Sequence, residues 1–172
     1  KRGGKVMSKR VRQYIGILAA VIAYYFVHGG AHLLYALFTG VFQKINFMGI
    51  GVQIVVFSER MTDTQLGIFC LLGALATFLV GYLLTVLAKK ISNVKSKLFR
   101  AVLYYITIAL LLIDPLYLSI LCGLFGGGDM NGIALLCPEW IARCIFGVLL
   151  LVNGLVFWKR LLPIYRESFA VK

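Results

Sequence analysis

His28 and His32 are the only histidines in the chain, and they stand four residues apart. On a helix that spacing puts both imidazoles on one face, one turn apart, where both can reach a single cation. Random placement of two histidines gives such a pair on the order of one time in a hundred, so the H-x-x-x-H pattern points to metal chemistry. The other reading is that each ring hydrogen-bonds a neighbouring helix, as polar side chains do inside bundles. An open metal site takes three protein ligands and leaves a fourth position for water or substrate. The third ligand must then be a carboxylate or a cysteine, and Asp114 and Asp129 are the acidic candidates. Cys70, Cys122, Cys137 and Cys144 contain no C-x-x-C pair and sit mostly in apolar runs, where free cysteines act as small hydrophobes. A Cys122–Cys137 disulfide is the one pairing to weigh against that. Bis-histidine haem ligation is disfavoured, because axial ligands approach from opposite faces of the ring and one helix turn cannot supply both.

The elements that must carry these residues are membrane helices. Of 172 residues, 61% are hydrophobic and only 14% charged, whereas soluble domains run about half apolar and about a quarter charged. Mean hydropathy is +0.92. A span needs about 20 apolar residues to cross roughly 30 Å of hydrocarbon. Four segments qualify, at about 14–38, 66–88, 98–125 and 141–162. All four are expected to be helical, since lipid leaves backbone polar groups no outside partner. No cleavable signal peptide is expected, because the first span is too long for an h-region and lacks an A-x-A-like end. A chain opening on Lys1 is expected to have a trimmed or extended extreme N-terminus. The predicted class is an all-α membrane protein, a single integral domain over residues 1–172 with four transmembrane helices. There is no internal repeat and no low-complexity tract.

Net charge is +12, but no polar domain exists on which to display it to nucleic acid. The basic residues fall in short clusters between apolar runs, the distribution of orientation signals and lipid-headgroup contacts. Lys1, Arg2, Lys5, Lys9, Arg10 and Arg12 precede the first span; Lys89, Lys90, Lys95, Lys97 and Arg100 lie between the second and third without an acidic partner. Both clusters are cytoplasmic by the positive-inside rule. Lys159, Arg160 and Arg166 follow the fourth span, so both termini are expected on the cytoplasmic side. The connection Val41–Gln65 mixes Lys44 and Arg60 with Glu59 and Asp63, and Gly126–Trp140 carries only Asp129 and Glu139, so both face outward. Trp140 and Trp158 mark the two interfaces of the last span, and Tyr24, Tyr25 and Tyr35 either line a cavity or anchor the first. The expected location is a bacterial plasma membrane.

Residues 43–57 are rich in β-branched and aromatic side chains and are broken by Gly49-Ile50-Gly51, which predicts a short β-hairpin or re-entrant segment after the first helix. His28-Gly29-Gly30-Ala31-His32 in a first helix that ends Phe38-Thr39-Gly40 and leads into this β-like stretch resembles the site-2 protease family of intramembrane zinc metallopeptidases. Gly128-Asp129-Met130-Asn131-Gly132 is similar to that family's later Asp-Gly motif, and Leu72-Gly73-Ala74-Leu75-Ala76-Thr77 keeps the Gly and small residues of its middle motif but not the Pro and Asn. The resemblance covers about residues 14–145. It implies zinc held by His28, His32 and Asp129, and cleavage of a membrane-associated peptide or single-span substrate by metal-activated water.

One departure bears on activity. The family's H-E-x-x-H places a general base after the first histidine, and here that position is Gly29. Losing a positioned base forfeits about 10² to 10⁴ in rate, so the chain is expected to bind zinc and substrate with little turnover. Gly29 fits either a natural pseudoprotease or an inactivated form of an active enzyme. The third ligand stays open on the residues themselves. Asp114 lies 14 residues from Arg100, as His28 lies 14 from Tyr14, so both sit at about 21 Å of helix rise. The motif favours Asp129, with Asn131 as a partner to a carboxylate or to substrate backbone. Asp114 also has an ordinary role beside Pro115, satisfying backbone groups freed by a kink. Glu139, after Pro138, is expected to favour a helix N-terminus. The alternatives are a non-enzymatic membrane module, such as a partner subunit or immunity-type protein that binds a hydrophobic peptide or helix, and a small transporter using Asp114 and the histidines as an ion relay.

Overall fold

The computed structural model describes residues 7–49 and 51–170, with the Met48 side chain excepted. Lys1, Arg2, Lys5 and Ile50, like the predicted N-terminal end, lie outside the described residues. Helix α1 runs Lys9–Phe38, strands β1 Phe42–Met48 and β2 Gly51–Val56 follow, then a short 3-10 turn Ser58–Arg60 and helix α2 Asp63–Ser92. Helix α3 covers Lys97–Leu116, α4 Asp129–Ile133, α5 Glu139–Val156 and α6 Leu162–Ala170. Four helical stretches, Lys9–Phe38, Asp63–Ser92, Lys97–Leu121 and Glu139–Ala170, are long and apolar enough to cross a membrane.

Helix ends differ from the predicted spans for local reasons. Ser8 caps α1 by accepting from Val11 N–H, so the helix begins at Lys9 rather than near Tyr14. Thr62 and Gln65 form a capping box that starts α2 at Asp63. Polar first turns are good helix but poor hydrocarbon filler, and an apolar window passes over them. The third helix stops at Leu121, short of the predicted Phe125, because Gly126, Gly127 and Gly128 take φ of +79°, +86° and +50°, a region that side chains disfavour. The connection between the third and fourth stretches contains α4. The fourth stretch runs on past Leu162 through a π-helical segment, Phe157–Leu161, in which Leu162 N–H bonds Phe157 O. That register shift lets Pro163 sit in the first turn of α6, where a missing N–H is tolerated.

The two strands pair antiparallel, with Phe47 opposite Val52 and a bulge between Phe42 and Lys44. The turn is at Gly49, at φ +62°, so the predicted hairpin forms where the glycines break the run. Val41 N–H bonds Ala36 O and Phe57 N–H bonds Val41 O, which tie the hairpin's base to the end of α1. Phe42, Ile54 and Val56 pack onto a buried cluster that includes Ala36, Phe69, Ala74, Leu118 and Met130. A second cluster, Ala88, Ile91, Leu111, Leu161 and Tyr165, fills the opposite end.

Helices α1, α2 and α3 pack on one another, α4 lies on α2, and α5 lies on α3. Polar contacts also bolt them together. Pro115 has no N–H to offer Leu111 O four residues back; Asn153 of α5 donates Nδ2 to that carbonyl at 2.7 Å and accepts from Tyr82 of α2. The freed group is thus satisfied by Asn153, not by Asp114 as expected beside the proline. Arg100, which belongs to the basic cluster, is buried, and donates Nη1 to Ser92 O at 3.1 Å and Ser168 O at 2.7 Å. Those carbonyls close α2 and α6, where helix dipoles favour a cation. Glu139 occupies the first turn of α5, as expected, and pairs with Arg143 at 2.8 Å. All four cysteines are free, so the Cys122–Cys137 pairing is not formed.

Candidate metal centre

Helix periodicity puts Tyr24, His28, His32 and Ala36 in one row on α1, each four residues from the next. The row faces α2, where Phe69, Gly73 and Thr77 form a matching row. The Phe69 ring lies 4.7 Å from that of His32. Gly73 makes room for the histidines: a Cβ added there would stand 2.6 Å from His28 Cε1 and 2.6 Å from His32 Nε2. Helix α3 contributes Asp114 from the turn before its π segment. The glycine loop reverses the chain and delivers Asp129 at the first position of α4.

Three side chains converge. His28 Nε2 is 3.1 Å from Asp129 Oδ2 and 3.2 Å from His32 Nε2, and His32 Nε2 is 3.5 Å from the same Oδ2. These are the one group of three or more His, Cys, Asp or Glu among the described residues able to hold a metal ion together. Asp129 is one-quarter exposed, at 26% of its side chain. Burial alone would raise its pKa, but hydrogen bonds from His28 and His32 and their charge outweigh that and hold the carboxyl well below the usual range.

Asp114 approaches from behind. Its Oδ1 lies 3.1 Å from His28 Nδ1 and accepts from Tyr24 Oη at 2.5 Å, and its Oδ2 accepts from Thr77. This carboxylate is only 1% exposed, so an ionised form needs the donors that surround it. Tyr24 also stacks on His28 at 5.1 Å between ring centroids. With the ring proton held on Nδ1 by Asp114, a neutral His28 turns the lone pair of Nε2 toward Asp129 Oδ2. Two acceptors 3.1 Å apart repel unless a cation lies between them, either a second proton or a metal ion. His32 lacks this support: its Nδ1 is buried without a hydrogen-bond partner, and nothing in the structure explains that.

Of the residues singled out by sequence, His28, His32 and Asp129 come together, and Asp114 joins them on the far side of one ring rather than as a competitor for the same place. Asn131 does not reach the cluster. Its Nδ2 donates to Gly126 O at 3.1 Å, which pins the glycine loop, so its expected role beside a carboxylate is replaced by one in loop shape. Gly29 has nothing within 4 Å of where a Cβ would stand, so the position is open. Gly73, Thr77 and Tyr24 belong to the site more intimately than sequence suggested. The signal that could have found them is the four-residue repeat itself, Tyr24-His28-His32 against Phe69-Gly73-Thr77. Comparison with family models, curated proteins and solved structures finds no match to this chain.

Proposed function

We propose that this chain is an integral membrane protein of the site-2 protease type, whose His28, His32 and Asp129 hold zinc and which binds a membrane-associated peptide or single-span protein, with hydrolysis crippled at Gly29. The observation that carries the reading is the convergence of both Nε2 atoms and one carboxylate oxygen. A tetrahedral ion bound at about 2.0–2.1 Å sets donor–donor edges of about 3.3–3.4 Å, and the three separations here are 3.1, 3.2 and 3.5 Å. Two imidazoles and one carboxylate also match the donor set of open zinc sites. The bare Gly73 surface is what lets both rings lie this close to α2.

Zinc would supply a Lewis acid that polarises a peptide carbonyl and makes water acidic near neutral pH. The protein's own residues do the rest. Asp114 fixes the tautomer and orientation of His28, with Tyr24 and Thr77 holding Asp114 in turn. The hairpin packs on the cluster that contains Phe69, the ring against His32, and its strand edges are where an unwound peptide would add. Gly29 offers no atom to accept a proton, so a bound peptide is retained more readily than cut. The basic clusters support an orientation with both termini in the cytoplasm of a bacterial cell and the histidines in the outer half of the bilayer.

The same separations are also hydrogen-bond distances, which favours a second reading, a metal-free module that binds a hydrophobic helix. Metal analysis of purified protein separates the two. One zinc per chain is expected, lost in His32→Ala and Asp129→Ala; no stoichiometric metal in the unaltered chain would leave only the second reading. In liposomes with zinc, Gly29→Glu is expected to raise cleavage of a bound membrane substrate by about 10²-fold or more, and no gain counts against the protease type.

A further inference from the structure

At the end of the bundle away from the histidines, the start of α1, the start of α3 and one face of α6 line a half-open cavity of about 480 Å³. Its lining divides in two. Lys9, Arg12 and Arg166 form a basic rim, and Ala101, Tyr104, Tyr105, Leu162, Tyr165 and Phe169 form most of the rest. Among the described residues no acidic side chain lines it: Glu167, next to Arg166, lines the neighbouring cavity with Lys89 and Arg100. The three rim cations form no ion pair among the described residues. Tyr165 is 1% exposed, and its hydroxyl is buried without a hydrogen-bond partner, a state that costs about 1–3 kcal/mol when no partner is supplied.

We propose that this cavity is a binding site for one anionic phospholipid. The phosphate would sit among Lys9, Arg12 and Arg166, and an acyl chain would lie against Tyr104, Tyr105, Leu162 and Phe169. Charge complementarity selects an anionic headgroup over a zwitterionic one, and the aromatic and aliphatic wall selects an amphiphile over a small ion. Position agrees with this. The basic clusters assign this end to the cytoplasmic leaflet, the one rich in anionic lipid. Arg12 and His28 are 16 residues apart on α1, about 24 Å of rise, so the site is separate from the metal centre. The proposal rests on the membrane placement argued above but not on zinc.

Native mass spectrometry of the detergent-solubilised full chain tests it, with dioleoylphosphatidylglycerol, dioleoylphosphatidylcholine and inorganic phosphate as probes. One phosphatidylglycerol is expected to be retained per chain, at least about tenfold more tightly than phosphatidylcholine. The variant Lys9→Ala/Arg12→Ala/Arg166→Ala is expected to lose that preference. A control that removes the same charge elsewhere, Arg10→Ala/Lys97→Ala/Arg160→Ala, is expected to keep it. Leu162→Trp, which fills the apolar part and leaves the charge intact, is expected to weaken retention, and His28→Ala to leave it unchanged. Equal retention of the two lipids, equal loss in both triple variants, or displacement by millimolar phosphate overturns the site. Carbonate extraction of the chain from membranes keeps the two failures apart. A chain that resists extraction but shows no lipid preference sinks the site alone, and a chain released by carbonate sinks the membrane reading and the site with it.

Discussion

Asp114 shows how one residue's role turns on which atom it meets. Helix rise from the basic ends put it level with His28, and the structure does bring the two together, at 3.1 Å. What spacing along the chain does not encode is the rotation of α3 about its axis, and that rotation aims the carboxylate at Nδ1 and not at the Nε2 face where Asp129 and His32 meet. The consequence is measurable. Asp114→Asn keeps the volume but replaces one carboxyl oxygen acceptor with an amide NH2, which frees the His28 tautomer. In the proposed centre this is expected to weaken zinc binding by about 10- to 100-fold while leaving one zinc per chain at saturation, whereas Asp129→Asn is expected to lower the stoichiometry itself. Gly73→Ala adds a methyl 2.6 Å from both rings and is expected to abolish binding without unfolding the bundle. Competition with a fluorescent chelator reads all three. Unchanged affinity in Asp114→Asn would remove it as a positioning residue.

At the scale of the element, α3 survives a buried proline because another helix repairs it. Pro115 leaves Leu111 O without its usual donor, and Asn153 Nδ2 supplies one at 2.7 Å. Asn153→Leu is therefore expected to destabilise the bundle by about 1–3 kcal/mol, the cost of an orphaned buried polar group. The cost is expected to shrink when Pro115→Ala restores the N–H within α3 itself. A double-mutant cycle of unfolding in mixed micelles gives the coupling, and additive effects would show that the two residues act independently. The proline was legible in the sequence, but Asn153, which answers the carbonyl it frees, lies 42 residues from Leu111 and no local pattern names it. The four apolar stretches and the hairpin were legible for the opposite reason: hydropathy and the Gly-Ile-Gly break act locally. Helix ends were less so, because caps such as Ser8 and Thr62 and the π segments depend on a few backbone bonds rather than on composition. Of the candidate site, the histidines could be read from spacing, and Asp129 only through its glycine-rich motif, since a loop that reverses the chain leaves no periodic trace.

The whole molecule is polarised along the bundle. The starts of α1 and α3, the end of α2 and helix α6 gather at one end around two adjoining cavities, and with them come Lys9, Arg12, Lys89, Arg100 and Arg166. The hairpin, Asp63, Asp129 and Glu139 belong to the connections at the other end. Trp140 and Trp158, 68% and 67% exposed, are 18 residues apart, about 27 Å of helix rise, close to the roughly 30 Å of a hydrocarbon core. Aromatic spacing fits a transmembrane helix in either direction, and the charge asymmetry is what supports the proposed orientation, with the basic end in the cytoplasm and the histidines nearer the outer face. Labelling with a membrane-impermeant maleimide tests it, in a chain whose four cysteines are replaced by alanine. Asn46→Cys, on β1, is expected to react in intact cells, and Asn93→Cys, between α2 and α3, only after permeabilisation. The reverse pattern would invert the topology. It would move the basic cavity to the leaflet poorer in anionic lipid, and it would put the metal-centre end where a peptide arrives from the cytoplasm, not from outside.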